Sequence, residues 1–283
     1  MNQQQLQAAL IHHRTPARAA NRHTLRTLCR GLGLPLIEIV DQPDLDVGQP
    51  SIADRFWVVG RHLLRSAADA WFQFSTRRYS LAASLRRYIA ESCRLLRAFA
   101  CSTPNEWAFA YRVCLVEDVL VQKHLAAWRA ALQANAQWLL VLEDDAEVLP
   151  QTGNRIKVFL GNQLRMLEFD GRMYCDFAGG YAPHLVLPRN AEWNPKLGYW
   201  NLPYIRTNTI CSYLISKQLS KDILSIVDRL PLLKQLPADH LINLASRLTQ
   251  PKNVSSLCLH WQAPFFRHGS FQDGLASTVS GVR

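Results

Sequence analysis

Residues 137–150 read QWLLVLEDDAEVLP, and this stretch decides the fold class. Trp138 to Leu142 form an unbroken apolar run of strand length, which suits a strand covered on both faces inside an α/β sheet. The run ends at once in Glu143, Asp144 and Asp145, and Pro150 closes the segment. Such a cluster is either a solvated acidic turn capping the strand or a cation site, and carboxylates stranded at a buried strand end are costly without a cation. In open α/β sheets this carboxyl end borders the ligand crevice. Continued strand alternation sends Glu143 and Asp145 to one side and Asp144 to the other. Two carboxylates on one side suit a hard divalent cation, Mn2+ or Mg2+, with diphosphate oxygens completing its shell.

Outward from this strand, the chain alternates between strands and helices. On the N-terminal side, a strand is expected near Leu6 to His12, then a helix opened by Thr15-Pro16 and closed by Gly31 to Gly33, then a strand over Pro35 to Val40. A long helix follows Thr103-Pro104 and runs, with a break allowed, to about Asn135. On the C-terminal side we expect a helix over Arg155 to Glu168, a strand-like stretch MYCDFAGGY and a loop rich in Pro, Asn and Trp from Ala182 to Pro203. A strand over Thr209 to Ile215, a helix over Ser216 to Leu230 and a second helix in PADHLINLASRL come next, and the aromatic tail supplies a final strand and loop. The alternation predicts an α/β fold with a mainly parallel sheet flanked by helices. No linker divides the chain, so residues 1–283 are taken as one domain with a helical insertion at about 51–101.

The composition narrows the class. A chain of 283 residues that is 48% hydrophobic can bury a sizeable core, which excludes disorder throughout. The 32 Lys and Arg against 22 Asp and Glu leave a net charge of +10, which favours phosphates, anionic lipid headgroups or nucleic acid as partners. No apolar run reaches bilayer-spanning length, and MNQQQLQAALIHHR lacks the form of a signal peptide. A cytoplasmic protein, peripheral at most on the inner face of the plasma membrane, is therefore expected. Seven cysteines with no CxxC pair fit neither a disulfide framework nor a zinc knuckle and are read as small buried apolar residues. Between Arg55 and Arg97 stand nine Arg and no Lys, among apolar residues at helical spacing. This insertion either packs on the body with solvated arginines or lies on an anionic membrane surface.

The acidic strand resembles the metal-binding strand of glycosyltransferase family 25, the lipooligosaccharide and collagen galactosyltransferase group, in which an apolar run precedes Glu-Asp-Asp. The likeness extends to IHHRTPARAANRHTLRTLCRGLGLPLIEIVD (11–41), VEDVLVQKHLAAWRAAL (116–132), NTICSYLISKQLSKDIL (208–224), PADHLIN (237–243) and FRHGS (266–270), in that order over about two thirds of the chain. It departs in residues 51–101 and at Lys123, where the family usually carries Ser before His124. The resemblance implies a GT-A fold, a nucleotide-diphosphate sugar donor, UDP-linked by preference, and an inverting transfer to a glycan or lipid-linked glycan hydroxyl. The sugar is galactose by analogy, and the product belongs to lipopolysaccharide or capsule.

Roles follow from chemistry and from this likeness together. Inverting transfer needs a base for the acceptor hydroxyl, and Asp239 is the first choice, with Glu147 and Asp144 behind it. Asp239 equally suits a helix N-cap. Arg14 and Arg18 flank the first strand-to-helix turn, where guanidinium groups and helix amides hold phosphate. Asp41 ends the second strand and either faces the nucleoside or serves only the turn, His124 is either a donor contact or a satisfied structural histidine, and Asp144 is a further donor contact. Gly179 and Gly180 in DFAGGY allow close approach of the sugar, or simply form a turn. Glu143, Asp145 and His268 are the expected metal ligands. The rival readings are an Mg2+-dependent nuclease or phosphoryl-transfer enzyme, and a basic adaptor without catalysis that binds membrane or nucleic acid. The ordered motifs favour the transferase, for which no nucleic acid partner is expected.

Overall fold

A computed structural model of the chain describes residues 6–13, 16–40, 48–76, 79–163, 171–179, 191–207, 210–249 and 256–269. Strand β1 (Leu6–His12) leads through a 3-10 turn at Pro16–Arg18 into α1 (Ala19–Gly31) and then β2 (Leu36–Val40). Two long helices follow, α2 (Ile52–Ser75) and α3 (Leu81–Ala100). After them α4 (Pro104–Gln133) runs without a break to the acidic strand β3 (Trp138–Glu143). Side-chain caps start these helices: Ser51 with Asp54 and Thr103 with Glu106 form reciprocal capping boxes, and Pro104 occupies the first turn of α4.

Beyond the acidic turn come β4 (Ala146–Val148), α5 (Thr152–Val158), β5 (Arg172–Asp176), β6 (Glu192–Asn194), β7 (Tyr199–Leu202) and β8 (Ser212–Ser216). Helices α6 (Lys217–Arg229) and α7 (Ala238–Leu248), then β9 (Ser256–Trp261) and β10 (Phe266–His268), complete the described chain. The main sheet has eight strands in the order β2-β1-β3-β8-β5-β9-β7-β6, and β10 pairs with β4 in a separate ribbon. The α/β class is as expected, and the sheet is mixed. Pairing is parallel across β2-β1-β3 and at β5-β9, and antiparallel where β8 and the β6-β7 hairpin enter.

Alternation along β1 and β3 divides the core. Ala9, Ile11, Leu139 and Val141 pack with Val121, Leu125 and Trp128 of α4 and with apolar residues of α6 and α7. Ala8, Leu10, Leu140 and Leu142 face Leu25 and Cys29 of α1, Ile156 of α5 and the aromatic tail. The acidic end of β3 therefore has α4 on one side and α1 on the other. The α2–α3 insertion joins the α4 side: Arg61 reaches Asp118 at 3.2 Å with Trp57 under its guanidinium, and Arg65 meets Glu117 at 3.5 Å. Arginines of the insertion are thus partly internal, bonded to the body's acids.

Three expectations change. The described part of the expected loop, from residue 191 on, carries the β6-β7 hairpin, built on a Trp193–Trp200 contact across the strands and a left-handed Gly198 (φ 70°), while 182–190 lie outside the described residues. The helix expected over 155–168 starts earlier, at Thr152, and passes into a π turn at Phe159–Gln163, and its remaining residues lie outside those described. Cys93 and Cys101 are exposed, because α3 turns one of its faces to solvent, while the other five cysteines are buried. No helix among the described residues is long and apolar enough to cross a membrane.

Candidate functional site

The acidic turn is fixed by its backbone before its side chains act. Glu143 N–H donates to the Cys211 carbonyl at 2.8 Å, Asp144 N–H to Ile11 O at 3.0 Å, and Gly269 N–H to Asp145 O at 2.9 Å. Asn21 of α1 donates its amide to the carbonyls of Asp144 and Ala146, clamping the turn from the α1 side. Strand geometry ends at Glu143, and Asp144-Asp145 form the turn into β4. The alternation expected through Asp145 therefore stops two residues short, and the three carboxylates take three different environments.

Asp144 faces α1. Arg18 Nη1 donates to its Oδ1 at 2.5 Å, Arg22 lies 3.6 Å from its Oδ2, and His13 N–H donates to that oxygen at 3.3 Å. Arg18 and Arg22 are both buried, so this ion-pair group fastens the start of α1 to the acidic turn. Beside it, Lys123 is buried and its Nζ donates to the His12 carbonyl at 2.7 Å and to His13 Nδ1 at 3.3 Å. Burial and the Lys123 charge lower the His13 pKa. Lys123, Arg18 and Arg22 place positive charge around the carboxyl end of β1.

Glu143 faces α4. Its Oε1 lies 3.2 Å from His124 Nε2, and His124 Nδ1 lies 2.8 Å from the Tyr213 hydroxyl, which accepts from Trp128 Nε1 at 3.1 Å. One wiring satisfies every donor: Trp128 N–H to Tyr213, Tyr213 O–H to His124 Nδ1, and His124 Nε2–H to Glu143. Burial, then Lys123, hold His124 neutral with its pKa near 3. Burial, then the negative charges of Asp145 and Asp144, raise Glu143 well above the usual carboxylate range. A protonated Glu143 would still offer Oε1 as the acceptor, so the wiring is compatible with an uncharged pair.

Asp145 faces the C-terminal ribbon. The β4–β10 register places His268 opposite Ala146 and brings His268 Nδ1 to 3.5 Å from Asp145 Oδ2. Ligating atoms of Asp145, His268 and the fully buried Cys211 lie within 4.8 Å of one another. Burial lowers His268 and, with the nearby carboxylates, raises the Cys211 thiol well above its ordinary value. Of the expected metal ligands, Asp145 and His268 come together, and Glu143 lies outside that group. A carboxylate and a neutral imidazole fit Mn2+, with substrate oxygens completing the shell. Mg2+ fits them less well, and the thiol would serve only a softer ion.

Other candidates fall as follows. Asp239 lies in the first turn of α7, not at its N-cap, which is Pro237, and its Oδ1 accepts from His240 N–H at 2.8 Å. It sits on α7, which packs against α4. Glu147 is taken up by Arg267 across the β4–β10 ribbon. Gly179 is left-handed (φ 63°), and the space a Cβ would need is filled by Pro264, 2.8 Å away. The close approach there is thus made by the protein itself. Arg14, Asp41 and Gly180 lie outside the described residues.

No family model matches the chain, and no curated protein matches it.

Several contributors escaped the sequence reading. Cys211 and Tyr213 reach the acidic end only through the antiparallel β3–β8 register, which no local pattern reports. Asp176 and His260 form a further buried pair at 3.3 Å. Asp176 Oδ1 accepts from Ala178 and Gly179 N–H, while His260 Nε2 lies 2.8 Å from the Arg206 carbonyl. A cleft of about 780 Å³ opens between α2 and α3 with His240 at its edge, lined by His62, Arg65, Arg87 and Arg94 among acids and small residues. The Arg-rich composition signalled this lining, but not the part that His240 of α7 takes in it.

Proposed function

We propose that the protein is a metal-dependent inverting glycosyltransferase of GT-A type. It would move a sugar from a nucleotide-diphosphate donor, UDP-linked by preference, to a hydroxyl of a glycan or lipid-linked glycan acceptor. The observation that carries this reading is the meeting of Asp145 with His268 at the carboxyl end of the buried acidic strand, within a strongly basic chain. The order of the motifs that resemble glycosyltransferase family 25 supplies the reaction class.

In this reading Asp145 and His268 would hold Mn2+, and the bound ion would supply charge neutralisation for the diphosphate leaving group. Lys123, with Arg18 and Arg22 behind it, sets a positive field at the end of β1 that favours an anionic donor. The neutral Trp128–Tyr213–His124–Glu143 chain keeps the α4 wall rigid and fixes the Glu143 carboxyl in one orientation. Asp239 accepts the proton of the acceptor hydroxyl as that oxygen attacks the anomeric carbon, and the bonding pair leaves with the diphosphate. The acceptor enters from the α2–α3 cleft, whose edge at His240 adjoins Asp239.

The test is turnover of a nucleotide-sugar panel with Mn2+, read as nucleoside diphosphate released with and without simple glycan acceptors. We expect release from one donor class. Asp239→Asn should retain donor affinity but lose transfer, as for a group that acts in the transition state. Cleavage of DNA or RNA with Mg2+, together with no turnover of any nucleotide sugar, would overturn the reading in favour of a nuclease.

A further inference from the structure

Helix α3 packs only one side on the body. Through α2 it forms one wall of the cleft, using Arg87, Glu91 and Arg94. The opposite side carries Leu81, Leu85, Ile89 and Leu96, exposed by 63%, 53%, 52% and 49%. At 3.6 residues per turn these four fall within an arc of about 80°, and the exposed Cys93 and Ala100 widen it to about 120°. Arg86 and Arg97, both exposed, border the arc on one side. Contiguous apolar surface of this kind on a helix is a contact site and not scatter.

From this face we infer that α3 is a docking surface for an anionic lipid bilayer, with Leu81, Leu85, Ile89 and Leu96 entering the headgroup–acyl boundary and Arg86 and Arg97 meeting lipid phosphate. The charge pattern selects this occupant. Helix α3 has four arginines against a single glutamate, and Glu91 is already paired with Arg94. A second copy packed stripe to stripe would bring those like charges together, whereas an anionic surface satisfies both the arc and its border. A helix lying in the interface plane needs no spanning length, and none of the described helices has it. The inference is independent of the proposed chemistry, since no stripe residue lines the acidic turn or the cleft.

The test is co-sedimentation of the full chain with vesicles of phosphatidylcholine alone or with added phosphatidylglycerol. Binding should need the anionic lipid and weaken with salt. Leu85→Glu with Ile89→Glu should reduce it at least about tenfold, and Arg86→Gln with Arg97→Gln should remove most of its dependence on phosphatidylglycerol. All four positions are exposed, so the melting midpoint should hold, and a second readout covers a variant that does not fold. In a Cys101→Ser protein labelled at Cys93 with an environment-sensitive dye, emission should shift to the blue on adding anionic vesicles. Equal recovery with both vesicle types, unchanged binding by the Leu85/Ile89 variant, or a Cys93 signal that ignores vesicles would overturn the inference. So would concentration-dependent dimerisation that the same variant abolishes, which would assign the face to a second copy.

Discussion

Among the described residues, two carboxylate–imidazole pairs lie fully buried, at 3.2 Å between Glu143 and His124 and at 3.3 Å between Asp176 and His260, yet their surroundings push the two imidazole pKa values in opposite directions. Around His124 the second ring nitrogen meets a hydroxyl, Lys123 adds positive charge, and two aspartates crowd Glu143. Both partners are therefore driven to their neutral forms. Around His260 both ring nitrogens face acceptors, the Asp176 carboxylate and the Arg206 carbonyl, which suits an imidazolium. Burial alone would lower the His260 pKa, but the Cys258 sulfur and Asp176 outweigh it and raise it to about 10. Distance within a pair does not decide its charge; the next neighbours do.

The sharpest way to break this comparison is Asp176→Asn. It would strand a buried imidazolium and should cost about 3–5 kcal/mol in urea unfolding at neutral pH. Below the ordinary histidine value of 6.5, folded and unfolded chains both hold the proton, so the pair contributes fully. The contribution fades as pH rises through about 10, and the gap between wild type and variant should close over that window. A gap independent of pH would mean that His260 is neutral.

Tyr213→Phe comes next, at about 1–3 kcal/mol, because it leaves the Trp128 N–H and a ring nitrogen of His124 buried without their partner. The pair at His124 also predicts loss of stability on acidification from about 6.5 towards 3, since the unfolded chain takes up a proton that the folded His124 refuses. A flat profile there would contradict a neutral ring.

Glu143→Gln should have the smallest effect, under about 1 kcal/mol with chelator present, because the amide oxygen can still accept from His124 and burial beside two aspartates already disfavours charge on Glu143. A cost as large as that of Asp176→Asn would show that the two pairs are alike.

How much of this could be read from the sequence depends on the range of the interaction. Strand β3 was plain in an apolar run that no other element breaks, and Thr103-Pro104 marked the start of α4 through local capping chemistry. The β6-β7 hairpin was hidden, because strands of three and four residues bearing Trp and Asn give no alternation to detect, and only their cross-strand contact reveals them. At the site, Asp145 and His268 carried visible chemistry. Their meeting, however, depends on a β4–β10 register across more than a hundred residues. Cys211 was read as inert packing because nothing local distinguishes it from Cys175. Strand alternation does not set the direction of Asp145, because a turn and not a strand orients it.

The most direct measurement is a thermal-shift titration with a UDP-sugar in Mn2+ and again in chelator, on wild type, Asp145→Asn and His268→Ala. The account predicts a rise in melting temperature that requires Mn2+ in wild type and is lost in both variants, each of which should still melt cooperatively. An equal rise in chelator, or an Mn2+-dependent rise that survives in both variants, would contradict it.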